Sequence, residues 1–154
     1  MVAENYDILG CFHVAPNSAD RLFDGLSVSA QRSLAKIRNI KRIKKQKIVW
    51  HAGERPGIYV LISGRAEEFV FNPLNGRNIA RSVARNEIFG IAETIGKIPA
   101  KTSLKTLTQC DFIFIDPDDF IIFLNRFPEL SFRLLRQLGL NLDKTYKEFC
   151  FSTF

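Results

Sequence analysis

The sequence is poor in the residues that build metal centres, disulfide frameworks and membrane spans. Histidine occurs only at His13 and His51. A jelly-roll metalloenzyme needs two or three histidines and a carboxylate on facing strands, so this pair argues against a cupin-like enzyme. The three cysteines, Cys11, Cys110 and Cys150, are odd in number and far apart. Their spacing fits neither a metal-ligand set nor a disulfide framework, and it excludes a clustered haem or iron–sulfur site. A reducing cytoplasm is the expectation, with Cys110 read as a buried free thiol. No Ser/His/Asp or Cys/His set stands at a plausible site. The reading is therefore of no catalytic residues, no metal and no enzyme. No apolar run approaches the about 18–20 residues that cross a bilayer. The N-terminus lacks a basic region followed by an apolar stretch, so neither a secretory signal nor a membrane partner is expected.

What is present suits one domain spanning residues 1–154. The length supports a real core, and 46% hydrophobic with 25% charged residues is ordinary for a globular chain. Fourteen phenylalanines, mostly in the second half, imply a core or interface filled by large apolar groups. The net charge of +6 is uneven. Lys36, Arg38, Lys41, Arg42, Lys44, Lys45 and Lys47 follow one another with no acidic residue between them. Such a strip can contact phosphates. No aromatic interleaves the charges before Trp50, which favours a solvated face with Ile37, Ile40, Ile43 and Ile48 turned inward.

Residues 1–38 read as an arm and two covering helices, one started by Asn17 or Ser18 and one capped by Ser27 and running to Ile37. Residues 39–115 read as short strands: Ile40–Ile43, Gln46–His51, Ile58–Ile62, Arg65–Asn72, Arg77–Ala84, Ile88–Phe89, Ser103–Leu107 and Cys110–Ile115. The Gly53 and Pro56-Gly57 turn, the strand after it and the Ser63-Gly64 turn make a corner of a jelly-roll barrel. Asn75-Gly76 closes a hairpin, and one helical turn fits Ala92–Ile95. Residues 116–154 read as helices. Asp116-Pro117-Asp118-Asp119 is a helix start; it also matches a metal pattern, which capping explains without a metal. A long helix restarts at Phe127-Pro128-Glu129. On it Leu135, Leu138, Leu142, Thr145 and Phe149 form a heptad seam, while Leu130 and Leu134 lie on an offset face. A helix apolar on two faces wants two partners: the barrel and, most simply, a second copy.

This order of parts resembles the cyclic-nucleotide-binding domain, and more narrowly the sensor half of Crp/Fnr-type bacterial transcription regulators. The residues that carry the resemblance are Leu22-Phe23-Asp24-Gly25-Leu26-Ser27, the Gly53 turn with Tyr59-Val60-Leu61-Ile62-Ser63-Gly64-Arg65, and Asn75-Gly76-Arg77. Ile88-Phe89-Gly90, Asp119-Phe120 and Phe127-Pro128-Glu129-Leu130 complete them. The resemblance covers about residues 20–145 and implies a mainly β double-stranded β-helix with flanking helices and a long C-terminal dimerisation helix. It also implies a phosphate-binding cassette over Phe89–Ser103, with Phe89, Gly90, Ile91, Ala92, Glu93, Lys101, Thr102 and Ser103 as candidate ligand residues. A cyclic phosphate needs backbone N–H groups and an arginine, and the ribose hydroxyl needs a carboxylate. In nucleotide-binding members a glutamate follows the Phe-Gly pair and an arginine follows the loop's proline. Here those positions are Ile91 and Ala100, with Glu93 and Lys101 one or two places away. The expectation is a sensor that does not take cAMP in the usual way; another ligand, or a reshaped loop using Glu93 and Lys101, is the alternative. Such regulators carry a helix-turn-helix domain after the long helix, and the sequence stops at Phe154. DNA contact is thus expected only through a domain outside these residues.

Overall fold

The computed structural model describes residues 23–152. The predicted arm and first helix, with Cys11 and His13, lie outside the described residues. Helix α1 spans Val28–Ile37, and the Ser27 hydroxyl accepts the Ala30 N–H at 3.2 Å as its N-cap. Eight strands follow: β1 Arg38–Ile43, β2 Ile48–Trp50, β3 Ile58–Ser63, β4 Ala66–Asn72, β5 Arg77–Ser82, β6 Ile88–Phe89, β7 Ser103–Thr106 and β8 Cys110–Ile115. Between β6 and β7 sits the short helix α2, Ile91–Gly96. Helices α3, Pro117–Arg126, and α4, Pro128–Ser152, end the described chain. The Asp116 carboxylate accepts the Asp118 and Asp119 N–H groups, so this acidic cluster caps a helix, as its spacing predicts.

The strands form two antiparallel sheets, β1-β8-β3-β6 and β2-β7-β4-β5. They are not closed into one hydrogen-bonded barrel; the jelly roll is a sandwich. Strand register sorts the side chains of the first sheet onto two faces. Tyr59 pairs with Phe114 and Phe89, and Leu61 with Phe112, which places these residues together on the inner face. There they join Trp50, Ala66, Ala100 and Leu104 in a core between the sheets. Ile58, Val60, Ile88 and Ile115 occupy the opposite face. That face packs on Leu26 and Ala30 before and within α1, on Phe120, Phe123 and Leu124 of α3, and on Leu130 and Leu134 of α4. The N-terminal helix is therefore part of a core, not merely a cover.

Two expectations for the basic strip change. Ile40 is 70% exposed and Ile48 is exposed as well, while Ile37 and Ile43 are half-buried. Strand β1 is the edge of its sheet. Ile40 pairs with Ile113 and so projects on the helix side, but the helices do not extend over this edge. Lys41 projects on the inner face. Its Nζ lies 3.5 Å from the Phe114 ring centroid and donates to the Tyr59 hydroxyl at 3.3 Å.

Cys110 is buried, its thiol donating to the Arg65 carbonyl at 3.2 Å, and burial pushes its pKa up. The backbone beside it is equally tight. Gly64 has φ of +92°, and a Cβ there would lie 2.3 Å from the Gln109 carbonyl oxygen and 2.8 Å from the Cys110 sulfur. Replacing Gly64 by alanine forces both a disfavoured backbone and a backbone shift; urea unfolding will show a loss of about 2–3 kcal/mol. Native-state alkylation followed by peptide mass mapping will find Cys110 protected until the protein unfolds.

Candidate functional site

The loop from Phe89 to Ser103 is anchored at both ends by the corner between Trp50 and Gly57. At the entry Gly90 adopts φ of +90°, and a Cβ on it would fall 1.8 Å from the Gly57 carbonyl oxygen. Only glycine fits that approach. At the exit the chains hydrogen-bond in both directions: the Gly53 N–H donates to the Ala100 carbonyl at 2.7 Å, and the Ala100 N–H donates to the Glu54 carbonyl at 2.8 Å. The Ala52 N–H donates to the Ser103 hydroxyl at 2.8 Å, and the Trp50 indole N–H donates to the Thr102 carbonyl at 3.0 Å. Glu54 itself turns back on its own loop, its carboxylate accepting the His51 N–H.

Ile91 and Ala100 are apolar and buried. Ile91 packs into the core between sheet and helices, and Ala100 into the core between the sheets. Neither side chain offers a hydrogen bond to a ribose or a phosphate. Glu93 is buried on α2, and Lys101 stands exposed beyond Ala100. Phe89 is part of the inter-sheet core, and Ala92 lies half-buried on α2. Two of the loop's hydroxyls are engaged inside the protein. Thr102 Oγ1 donates to Glu68 Oε1 at 2.5 Å, while Ser103 receives the Ala52 N–H.

Glu68 belongs to a charged cluster that the sequence pattern did not reveal. Register places Arg81 of β5 directly opposite Glu68 of β4. The Arg81 guanidinium contacts Glu68 Oε2 at 2.7 Å and donates to Glu87 Oε1 at 3.0 Å, with a second, shorter contact to Glu87 Oε2. Both carboxylates are fully buried. Glu87 also accepts the Ala84 N–H at 3.1 Å, which ties the turn before β6 to the cluster. The guanidinium carbon lies 5.9 Å from the Phe89 ring centroid. Arg81, Glu68 and Thr102 thus link the β4–β5 hairpin to the end of the loop through charge-assisted bonds within the protein. The legible signal was the alternation of β4, which turns Glu68 to the same face as Ala66.

On the long helix the two predicted faces are separate in space. Leu130 and Leu134 are buried against the helix-side core, whereas Leu135 and Leu142 are 68% and 71% exposed. Leu138 is half-buried between the two faces. The side chains of Thr145 and Phe149 lie outside the described residues. At about 100° per residue, Phe132, Gly139 and Tyr146 share the face of Leu135 and Leu142, and Phe132 and Tyr146 are exposed. Sequence spacing missed Phe132 and Tyr146, because the seam drawn through Leu138 is rotated toward the core.

The basic strip holds one well-formed ion pair. Arg42 faces Asp111 across β1 and β8, with Nε–Oδ1 at 2.8 Å and Nη2–Oδ2 at 3.2 Å. The hydrogen bond to Arg42, and then its charge, hold the Asp111 carboxyl below its ordinary pKa. Among the described residues no group of three His, Cys, Asp or Glu side chains is placed to hold a metal.

The sequence profile of the cyclic nucleotide-binding domain matches residues 40–127, more than half of the chain. The chain belongs to the cyclic nucleotide-binding domain family. Its fold is also that of solved bacterial regulators. The catabolite activator protein of Thermus thermophilus aligns with a TM-score of 0.75 at 17% identity, over 86% of this chain and 62% of that one. The sensor domain of the transcriptional regulator DNR from Pseudomonas aeruginosa gives 0.70 at 19% identity, over 82% and 86%. The c-di-GMP responsive global regulator CLP of Xanthomonas campestris gives 0.59 at 18% identity, over 78% and 59%. The chain therefore spans about three fifths of the length of the Thermus and Xanthomonas proteins. No curated protein sequence matches it significantly.

Replacing Thr102 by valine removes the donor to a fully buried carboxylate. Urea unfolding will show a loss of about 1–3 kcal/mol, the cost of a buried polar group left without its bond. A second expectation concerns pH. Because folding lowers the Asp111 pKa, the pair with Arg42 stabilises above the unfolded carboxylate range, and that gain is lost as pH falls through the folded value. In Arg42→Ala, NMR titration will find the Asp111 pKa raised toward its ordinary value, and the stability difference from wild type will shrink in acid.

Proposed function

We propose that this chain is the non-catalytic sensor domain of a Crp/Fnr-like transcription regulator, working in the cytoplasm as a homodimer. Its cassette does not take cAMP through the family's usual glutamate and arginine. One observation carries the reading of the loop. Both anchor positions, Ile91 and Ala100, are apolar and packed into opposite cores, so no rotamer change turns them into polar contacts. The internal bonds of Thr102 and Ser103 support it, since these hydroxyls already have partners within the protein. Any DNA contact is made through a helix-turn-helix domain outside these residues, as the family resemblance implies. The exposed face of α4, with Leu135 and Leu142, supports pairing with a second copy, because its opposite face is occupied by the domain's own core.

The second reading is a small-ligand site in a reshaped loop, with Glu93 and Lys101 as substitute anchors. The solved relative described as c-di-GMP responsive supports testing ligands other than cAMP.

A thermal-shift panel of cAMP, cGMP and c-di-GMP separates these readings. A ligand at about 100 times its dissociation constant adds about 2.7 kcal/mol and moves the midpoint visibly. No shift with cAMP is expected. A clear cAMP shift, abolished by Lys101→Ala, would establish the reshaped loop instead. Sedimentation velocity at tens of micromolar will show a dimer, and Leu142→Asp, at an exposed position, will give a folded monomer. A wild-type monomer under those conditions rules out pairing through α4.

A further inference from the structure

We propose that the groove between α1 and α3, continued over the outer face of β1, is a docking surface for an acidic protein segment with apolar anchor side chains. The inference is independent of what the cassette binds. The groove encloses about 440 Å³, within the usual range of binding clefts, about 300–1,000 Å³. Its apolar lining includes Ile37 and Phe123, flanked by Val28 and Ile122, which are 63% and 65% exposed. Arg32, Lys36 and Arg126 line it too, against the single carboxylate of Asp119.

The surface does not stop at the groove. Its last α1 residue, Ile37, leads directly into β1, where Arg38, Ile40 and Arg42 project on the helix side of the sheet. Ile40 is the isoleucine that the helices leave uncovered. Asp111, the carboxylate on that strip, is already held by Arg42. A run of cations thus borders exposed apolar side chains, with few acids to neutralise it.

Charge complementarity selects an anionic partner, and the apolar lining selects the kind. Proteins bind single-stranded nucleic acid through stacking aromatics, and duplexes through polar contacts to phosphate and base edges. This surface offers an aliphatic floor, and Phe123 is buried. An acidic segment that presents leucine or phenylalanine at intervals uses both features. The apolar side chains bury on Val28, Ile122 and Ile40, while glutamates and aspartates meet the arginines at the rim.

The test selects a phage-displayed library of short random peptides on the wild-type protein, with counter-selection on Ile122→Asp. The exposed position leaves the fold intact, which circular dichroism checks. Enriched peptides will be rich in Asp and Glu with regularly spaced apolar residues. Synthesised, they will bind Ile122→Asp and the charge reversal Arg32→Glu/Lys36→Glu about tenfold or more weakly, and added salt will weaken them further. The proposal fails if the enriched peptides are no more acidic than the library, or bind the variants as well as wild type. It fails in favour of nucleic acid if a random-sequence DNA duplex binds wild type, loses binding with the charge reversal and ignores Ile122→Asp. It fails in favour of a second copy if Ile122→Asp turns a dimer into a monomer.

Discussion

The approach of two glycine backbones, Gly57 and Gly90, is the constraint on which the arrangement of the cassette depends. With no Cβ on Gly90, β6 runs against the end of the corner that begins β3, and α2 starts immediately beyond the contact. The same corner holds the loop's far end through the reciprocal bonds of Gly53 and Glu54 with Ala100. A loop whose two ends are bonded to one turn has little freedom to open. Ile91 and Ala100 follow from this placement. Each is carried into a core by the backbone that precedes it, and each packs there as an apolar residue must.

The two cores divide the labour. Between the sheets, Trp50, Tyr59, Phe89 and Phe112 pack at ring-centroid distances between 5.3 and 5.8 Å where they touch in pairs. Beside them lies the Glu68–Arg81–Glu87 cluster, extended by Thr102 to the end of the cassette. Burying such charges is costly, and partial removal of the network leaves a lone carboxylate behind. The cluster therefore favours one arrangement of hairpin, turn and loop over its neighbours. On the other side of the first sheet aliphatic and aromatic side chains seat α1, α3 and α4. Ile91 at the start of the loop packs in that second core, among side chains of the helices.

Among the described residues, the helical layer leaves two apolar surfaces open, and they differ in charge. The outer face of α4 is a stripe along one helix, suited to the same stripe on another copy. The α1–α3 groove is irregular, bordered by arginine and lysine, and continuous with the cationic edge of β1. A symmetric contact of that second surface would set like charges against one another, which is why an acidic partner answers it better.

Much of the architecture was legible in the sequence. Runs of β-branched and aromatic residues between turn signals located the strands to within a few residues, Ser27 and Asp116 marked the helix starts, and Gly53, Gly57 and Gly64 marked the corners. That positions 91 and 100 are apolar was also visible, because it depends only on which residue stands there. Local periodicity did not show that Ile40 lies open, since covering a strand depends on how far other elements reach. Nor did it show that Arg81 meets Glu68 and Glu87, because that cluster is created by strand register and a turn. The rotation of the α4 seam toward Phe132 and Tyr146 was decided in the same way, by which leucines the core had already claimed. The sequence by itself determined the elements and their order, which rest on local chemistry, and the apolar character of positions 91 and 100. Only the tertiary structure decided which faces are buried and which remain open to a partner, because burial is settled between residues far apart in the chain.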